Sequence, residues 1–244
     1  MEAVLMIRLD KYVADMGGGT RQEVKKYIRQ GRVLVDGVPV KKPEHKVDED
    51  RQQVELDGRK IRYCRFEYYM LNKPAGVVSA TEDGAEQTVV ALIADRGRKD
   101  LFPAGRLDKD TEGLLLITND GALAHRLLSP RRHVDKCYYA RIQGIVTGED
   151  VRRFSLGVNI GTAEKEEWTS PGRLEILGVD EGSGISEIRL TIQEGKYHQV
   201  KRMFEAVKKK VVYLRRESMG SLVLDKKLKP GEYRRLTDEE LRDL

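Results

Sequence analysis

The stretch that decides the fold covers residues 105–116 and reads Gly105-Arg-Leu-Asp-Lys-Asp-Thr-Glu-Gly-Leu-Leu-Leu116. Two bases and two carboxylates fall within residues 106–110, directly before an apolar run that is too short to form a helix. The run predicts a buried strand, and a carboxylate at the mouth of such a strand is costly to take out of water. We therefore regard Asp108 as the first candidate for a chemical role, with Asp110 beside it.

The residue types alone leave several chemistries open for this cluster. Paired carboxylates serve as nucleophile and acid/base in glycoside hydrolysis, and carboxylates also bind divalent metals. A similar pattern occurs in aspartyl-phosphate phosphatases, but here Thr111 directly follows Asp110 and no apolar strand precedes the motif. A turn whose charges pair with one another is an equally good interpretation at this point.

Composition predicts a folded protein with an anionic partner. Of the 244 residues, 39% are hydrophobic and 35% are charged, with both signs interspersed, which is typical of a solvated globular surface. The net charge is +5, and the first 65 residues hold 15 Lys and Arg against 11 Asp and Glu. Because a basic excess attracts anions, the N-terminal quarter is the favoured place for such a partner.

Several classes of protein are not indicated. Cys64 and Cys137 form neither a Cys-x-x-Cys nor a Cys/His zinc pattern, and no glycine-rich nucleotide motif occurs. The apolar start, from Met1 to Ile7, is too short for a signal peptide, and no apolar run reaches membrane-spanning length. We expect a soluble cytoplasmic protein with no zinc site of this kind, no nucleotide cofactor and no membrane partner.

The first 60 residues predict a compact αα-β unit. Leu9, Tyr12, Val13 and Met16 have the spacing of one buried helical face. Thr20, with Glu23 three residues later, predicts a capping box at the start of a second helix. Alternating valines around Asp36-Gly37 predict a β hairpin. Residues 41–52 are predicted to be a loop and residues 59–66 a linker.

A row of bases on the second helix predicts contact with phosphates. Arg21, Lys25 and Arg29 recur every four residues on one face, although such a row also occurs on helices that are merely solvated. The motifs Arg8-Leu-Asp-Lys-Tyr12, Thr20-Arg21 and Gly31-Arg32-Val-Leu-Val-Asp-Gly37 resemble the S4 RNA-binding domain. The resemblance covers residues 6–62, implies binding to structured RNA, and adds Arg8 and Arg32 to the predicted RNA contacts.

Residues 67–244 predict a second domain in which strands and helices alternate without the regular rhythm of a doubly wound fold. The predicted strands are 67–71, 114–118, 136–143, 173–178, 186–193 and 211–217. The predicted helices are 88–95, 121–128, 149–155, 198–207 and 237–243.

Four segments of this domain, in order, resemble the pseudouridine synthase family. They are Asn72-Lys-Pro-Ala-Gly76, Gly105-Arg-Leu-Asp108, Lys136-Cys-Tyr138 and Gly195-Lys-Tyr-His-Gln-Val-Lys-Arg-Met-Phe204. The resemblance runs from about residue 67 to Tyr233 and is strongest to the RsuA-type enzymes that act on ribosomal RNA. It implies an α+β fold in which the S4 domain precedes a catalytic domain with a mixed, largely antiparallel sheet flanked by helices.

The resemblance also implies a reaction and its residues. Members of the family isomerise uridine in RNA to pseudouridine: the C1′–N1 bond breaks, the base turns, and C5 bonds to C1′. Asp108 matches the essential carboxylate, Tyr138 the active-site tyrosine, and Lys201 the basic partner, at which many relatives have arginine. No metal or cofactor is implied. A carboxylate beside the anomeric carbon can attack it, stabilise its charge or remove a proton, and the sequence leaves these three routes open.

Three further bases are predicted to contact RNA: Arg106, Arg202 and Lys73. Arg106 lies two residues before Asp108 and is positioned to help extrude the target base, although pairing with Asp110 or Glu112 is an equal alternative. Arg202 is an alternative partner for Asp108. His198 is expected to orient its loop or contact RNA, and Asp110 is expected to be structural.

The partner favoured by the resemblance is 16S ribosomal RNA or a small-subunit assembly particle, bound by a monomer. Lys136, Pro171 and the ending Pro230-Gly-Glu-Tyr233 favour the small-subunit type. A 23S ribosomal RNA enzyme of the same family is one alternative, and a non-catalytic ribosome-assembly factor is another. A metal-dependent phosphatase or glycosidase lacks its supporting motifs.

Overall fold

The protein is described by a computed structural model over residues 6–162 and 164–244, and it divides into two compact units. The N-terminal unit extends to Glu67 and also contains Ala94–Leu101, whereas the C-terminal unit consists of Tyr68–Ile93 and Phe102–Leu244. The predicted catalytic domain, 67–244, therefore includes a segment that packs in the N-terminal unit. Most of the apolar start of the chain lies outside the described residues.

The N-terminal unit is built from short strands around two helices. These are β1 (Met6–Arg8), α1 (Leu9–Asp15), α2 (Arg21–Arg29), β2 (Val33–Val35), β3 (Val38–Pro39), β4 (Lys46–Asp48), β5 (Val54–Leu56) and β6 (Arg59–Ile61). An antiparallel sheet has the strand order β3-β2-β5-β6, and β1 pairs separately with β4. The predicted loop at 41–52 thus contains a strand, and the predicted linker begins with one.

Local sequence explains how this unit folds. Leu9, Tyr12 and Val13 are all buried on one face of α1, as the spacing predicts. The backbone N–H of Glu23 donates to Oγ1 of Thr20, and the Glu23 carboxylate accepts from the Thr20 backbone, so the predicted capping box is confirmed. In the hairpin turn, Asp36 and Gly37 both have positive φ, of 52° and 79°.

The C-terminal unit contains the remaining elements. They are β7 (Tyr68–Lys73), β8 (Phe102–Pro103), β9 (Glu112–Thr118), α3 (Gly121–Leu128), β10 (Lys136–Gln143), α4 (Gly148–Leu156), β11 (Arg173–Asp180), β12 (Ile185–Ile192), α5 (Gln199–Ala206), β13 (Lys210–Met219), β14 (Leu222–Val223), β15 (Tyr233–Arg235) and α6 (Asp238–Arg242). A 3₁₀ turn, Pro130–Arg132, precedes β10.

One mixed sheet organises this unit, with the strand order β11-β12-β10-β13-β9-β7-β15. Neighbouring strands are antiparallel except β13 and β9, which are parallel. The predicted mixed and largely antiparallel sheet is confirmed. Leu114–Ile117, the apolar run after the charged cluster, is fully buried in β9, which anchors the preceding loop in the sheet.

The predicted helix at 88–95 is wrong. These residues form turns, and the chain passes from one unit to the other after Ile93. Val89 and Ile93 are fully buried, so the helical spacing reflects burial within the turns rather than a helix. Within the described ranges, no helix is long and apolar enough to cross a membrane.

Candidate active site

A pocket in the C-terminal unit collects the residues that the sequence selected. It is lined by the loop before β9, by β10, and by the segment that leads from β12 into α5. Asp108, Tyr138 and Lys201 all line it, together with Arg106 and His198. The three predicted catalytic residues, which are distant in sequence, therefore meet in one place.

Asp108 is held in its loop by backbone contacts on both sides. Its carbonyl accepts from the backbone N–H of Thr111 at 3.1 Å. The neighbouring Leu107 exchanges two hydrogen bonds with Ser79, whose Oγ accepts from the Leu107 N–H at 3.0 Å and donates to its carbonyl at 2.8 Å. Sequence reasoning missed Ser79, because a lone serine in a loop carries no distinguishing pattern.

Lys201 lies between two carboxylates. Its Nζ is 3.0 Å from Oδ2 of Asp108 and 2.6 Å from Oδ1 of Asp110. Burial acts to lower the pKa of Lys201, but the hydrogen bonds to Asp110 and Asp108 outweigh it and raise the pKa. The hydrogen bond from Lys201 lowers the pKa of Asp110. Asp110 therefore shares the ammonium of Lys201 with Asp108, and the expectation that Asp110 is structural stays a prediction.

His198 lies on the other side of Asp108. Its Nε2 is 3.6 Å from Oδ1 of Asp108, and its backbone has φ 47° and ψ 34° at the position that begins α5. The imidazole stacks on the ring of Tyr197, with 3.8 Å between ring centroids and 17° between planes. The left-handed backbone at this position turns the His198 side chain toward the Asp108 carboxylate.

The two neighbouring tyrosines of β10 face opposite sides of the sheet. Tyr138 is 8% exposed and lines the pocket. Tyr139 lies on the other face, where its ring packs against Tyr213 at 6.0 Å and beneath the Arg215 guanidinium. Of the two residues, Tyr138 alone is placed to meet a substrate beside Asp108.

Lys73 supports the loop that carries Asp108. Its side chain is fully buried, and its Nζ donates to the carbonyls of Thr111, Pro74 and Lys109 at 2.9, 3.0 and 3.2 Å. Burial lowers the pKa of Lys73 to about 8. Because no part of this ammonium faces solvent, the predicted RNA contact is wrong, and Lys73 instead holds the loop that carries Asp108.

Arg202 and Arg106, the two arginines predicted beside the site, differ in whether they are already bound within the protein. Arg202 donates from Nη2 to Glu167 and to the Ile160 carbonyl, both at 2.5 Å, and from Nη1 to the Tyr197 carbonyl at 3.1 Å. It is therefore engaged within the protein and does not partner Asp108. Arg106 is exposed at the pocket edge, and among the described residues it has no ion pair, so the alternative in which it pairs with Asp110 or Glu112 is not found.

The predicted RNA-binding bases of the N-terminal unit also differ in whether a carboxylate already pairs with them. Arg8 forms a two-pronged contact with the buried Asp10, at 3.1 and 2.9 Å, and Arg32 forms one with Asp57, at 2.9 and 2.5 Å. Burial acts to raise the pKa of Asp10, yet the hydrogen bond from Arg8 and the charge of Arg21 lower it.

The face of α2 carries the other three bases. Arg21 lies 3.8 Å from Asp10 and is 56% exposed. Lys25 is half-buried and Arg29 is exposed. Within the described residues, neither Lys25 nor Arg29 has an ion pair, so their charges face solvent and are open to a partner.

No group of three or more His, Cys, Asp or Glu side chains within the described ranges has the arrangement needed to hold a metal ion. Cys64 and Cys137 are free thiols. The pocket offers a carboxylate paired with an ammonium, a phenol, an imidazole and the guanidinium of Arg106.

Known proteins resemble this chain over nearly its whole length. The family described as RNA pseudouridylate synthase matches residues 67–206, and the S4 domain matches residues 7–62. The Bacillus subtilis protein named Uncharacterized RNA pseudouridine synthase YtzG is 51% identical, covering 96% of this chain and 97% of its own.

Two further comparisons agree with that match. Ribosomal small subunit pseudouridine synthase A of Escherichia coli strain K12 is 40% identical, covering 96% of this chain and 98% of its own. A solved structure described as a pseudouridylate synthase superposes with a TM-score of 0.66 and 37% identity, covering 97% of this chain and 99% of the other. The fold, the S4 domain and the family expected from the sequence are confirmed: this chain belongs to the RNA pseudouridylate synthase family.

Proposed function

We propose that this protein converts a uridine of 16S ribosomal RNA to pseudouridine, with Asp108 as the essential carboxylate. The observation that carries the proposal is the 3.0 Å ion pair between Asp108 and Lys201 in a pocket that Tyr138 also lines. The small-subunit target is supported by the names of relatives such as the E. coli enzyme. The isomerisation needs no other reactant, since uridine and pseudouridine have the same composition and the proton lost from C5 is balanced by one gained at N1.

The pair suits a reaction that begins at an anomeric carbon. Lys201 attracts the Asp108 carboxylate across 3.0 Å and orients it in the pocket. As the C1′–N1 bond breaks, the electron pair leaves with N1 and the sugar becomes electron-poor. The Asp108 anion then bonds to C1′, stabilises its charge, or takes the proton of C2′.

Tyr138 and His198 have separate parts in this proposal. The Tyr138 ring lies at the pocket wall, where it stacks on the uracil while the base turns. After C5 bonds to C1′, the C5 proton leaves and N1 gains a proton, and the phenol is a group that can relay it. His198, at 3.6 Å from Asp108, orients the carboxylate.

The S4 unit supplies affinity for folded RNA. The free bases on α2, Lys25 and Arg29, contact phosphates, while Arg106 at the pocket edge holds the strand next to the extruded uridine. We propose that the protein acts as a monomer and that its location is the cytoplasm.

The test is pseudouridine mapping of ribosomal RNA treated with the purified protein or taken from a deletion strain. We expect one 16S position to gain the modification with wild-type protein and not with Asp108→Ala, while the variant still binds RNA. Undiminished product from Asp108→Ala overturns the catalytic assignment. A modification found only in 23S RNA overturns the small-subunit target, and its absence from every RNA overturns catalysis in favour of an assembly role.

A further inference from the structure

Two stacked rings, those of His198 and Tyr197, lie beside the Asp108 carboxylate, and the outer face of the Tyr197 ring is exposed. Tyr197 is 75% exposed, one face of its ring lies on His198, and His198 is 3.6 Å from Asp108. Large aromatic side chains usually bury most of their surface. A ring that is held in place yet left open at the rim of the pocket is suited to receive another flat group.

The stack is held by the backbone beneath it. The Tyr197 carbonyl accepts from Arg202 at 3.1 Å. The N–H of Lys196 donates to Oε1 of Gln199 at 2.9 Å, and the N–H of Gln199 donates to the Lys196 carbonyl at 3.2 Å. These contacts fix residues 196–199 on both sides of the stack, so little conformational freedom is lost when a ligand binds to the ring.

A second exposed aromatic residue lies on a segment tied to the same place. Trp168, the one tryptophan of the sequence, is 57% exposed. Its carbonyl accepts from Nζ of Lys196 at 2.5 Å, and its neighbour Glu167 accepts from Arg202. Lys196 and Arg202 therefore join the segment that carries Trp168 to the segment that carries Tyr197.

We propose that the open face of Tyr197 stacks on the base of an unpaired nucleotide next to the target uridine, and that Trp168 contacts the same RNA strand. This inference rests on the proposed function and adds a second binding position to it. Extruding a uridine breaks its stacking with its neighbours, and an aromatic platform beside the pocket replaces that stacking. Because every base has a π face, the platform accepts any base.

Charge at the rim agrees with an RNA strand as the occupant. Arg106 is exposed at the pocket edge and forms no ion pair within the described residues, so it is available to the phosphate beside the uridine. Lys196, which precedes Tyr197 in the chain and donates to the Trp168 carbonyl, lines the pocket. A base on Tyr197 and a phosphate on Arg106 place the strand across the mouth of the pocket.

The test measures binding apart from chemistry, in the Asp108→Ala background. One RNA is an oligouridylate. The other has the same length and a single central uridine, with abasic nucleotides in place of all other residues. We expect Tyr197→Ala to weaken binding of the oligouridylate roughly ten-fold, which is the usual scale for loss of one stacked base, and to leave binding of the abasic RNA unchanged.

Matched variants separate stacking from folding. Tyr197→Phe keeps the ring and is expected to bind the oligouridylate as the parent does, whereas Tyr197→Leu is expected to bind it as weakly as Tyr197→Ala. Leu156→Ala removes a side chain of α4 that is 77% exposed, and it is expected to change neither affinity. Equal weakening of both RNAs by Tyr197→Ala, or no weakening of either, overturns the platform.

Fluorescence tests the contact with Trp168 directly, because the fluorescence emission of the protein's single tryptophan depends on the surroundings of its ring. We expect the oligouridylate to quench it and Trp168→Phe to bind that RNA less tightly; unchanged emission at saturating RNA overturns the contact with Trp168. Failure of the proposed function would appear in a separate measurement, as pseudouridine formed by the Asp108→Ala variant. It would not alter the binding result.

Discussion

The ammonium of Lys201 lies 3.0 Å from the Oδ2 of Asp108 and joins α5 to the loop before β9. Both side chains are partly exposed, at 21% and 27%. Their value to overall stability is therefore small, since exposed ion pairs are weak and screened by salt. The contact matters for the orientation of the carboxylate rather than for holding the fold together.

Removing that charge is expected to slow the reaction without unfolding the protein. Lys201→Met leaves Asp108 without its cation, and a hydrogen bond to a charged group is typically worth about 1.5–3 kcal/mol. We expect kcat for pseudouridine formation to fall about 10- to 100-fold. Lys201→Arg, which keeps the charge, is expected to retain most of the activity. Equal activity of wild type and Lys201→Met would show that the ion pair is irrelevant.

Asp110 is expected to matter less than Asp108, although both contact Lys201. The Asp110 side chain is 73% exposed, and the hydrogen bond from Lys201 already lowers its pKa, so it remains ionised across the neutral range. Asp110→Asn frees Lys201 to pair fully with Asp108. We expect kcat to change by less than about five-fold, against complete loss for Asp108→Asn, on the usual scale for exposed pairs. Losses of equal size would place Asp110 among the essential groups.

Much of this arrangement follows from local sequence patterns. The apolar spacing in α1, the capping box of Thr20 and Glu23, and the alternation in β10 are each determined by neighbours along the chain. Asp108, Tyr138 and Lys201 were selected by resemblance and do meet in one pocket.

What the sequence could not predict depends on contacts between distant residues. Lys73 is a basic residue of the kind that contacts RNA, and only the fold shows that it is buried beneath the carbonyls of the loop that carries Asp108. Arg202 follows Lys201 directly, yet one step along a helix turns it toward Glu167 instead of Asp108. The helical spacing at 88–95 arose from buried side chains in turns, which periodicity alone does not distinguish from a helix.

Lys73 is expected to make stability depend on pH in the alkaline range. Burial lowers its pKa in the folded protein to about 8 from the ordinary value of 10.5, so between these values the unfolded chain binds the proton and the folded protein does not. The free energy of unfolding contributed by this group therefore rises with pH across that window. We expect wild type to gain stability relative to Lys73→Met, by at most about 1.4 kcal/mol per pH unit.

Urea unfolding of both proteins across this window measures the difference. Lys226→Met, which removes an exposed lysine, is the matched control and is expected to show no such trend relative to wild type. A constant difference between wild type and Lys73→Met at all pH values would contradict the lowered pKa. Lys73→Met is also expected to slow pseudouridine formation, because the Asp108 loop loses three hydrogen bonds.

Gly113 is expected to tolerate no side chain. It pairs with Arg216 where β9 meets β13, has φ +102°, and a Cβ there would lie 2.3 Å from the Arg216 carbonyl oxygen. Backbone cannot move aside cheaply, so Gly113→Ala is expected to cost about 3 kcal/mol or more of the free energy of unfolding. Gly148→Ala, at the start of α4 with open space around it, is the control and is expected to be near neutral. Similar denaturation midpoints for the two variants would refute the close approach.

Arg29 and Arg32 are expected to differ in RNA binding although both are exposed arginines of the S4 unit. Arg32 is already paired with Asp57 through two hydrogen bonds, and its guanidinium lies 4.1 Å from the centroid of the Tyr27 ring. Arg29 has no ion pair within the described part of the chain. A base that contacts a phosphate releases a counterion, so its loss lowers the dependence of affinity on salt.

We therefore expect Arg29→Gln to weaken binding of ribosomal RNA and to reduce the slope of log affinity against log salt by about 0.7–0.9. Arg32→Gln is expected to leave the slope unchanged and to lower the stability of the N-terminal unit slightly, because its partner in the folded protein is a carboxylate and not RNA. Titrations at several salt concentrations measure both slopes. An unchanged slope for Arg29→Gln would show that this unpaired base of α2 does not contact RNA phosphates. An equal reduction for Arg32→Gln would show that the paired bases of this unit exchange their carboxylates for phosphates on binding.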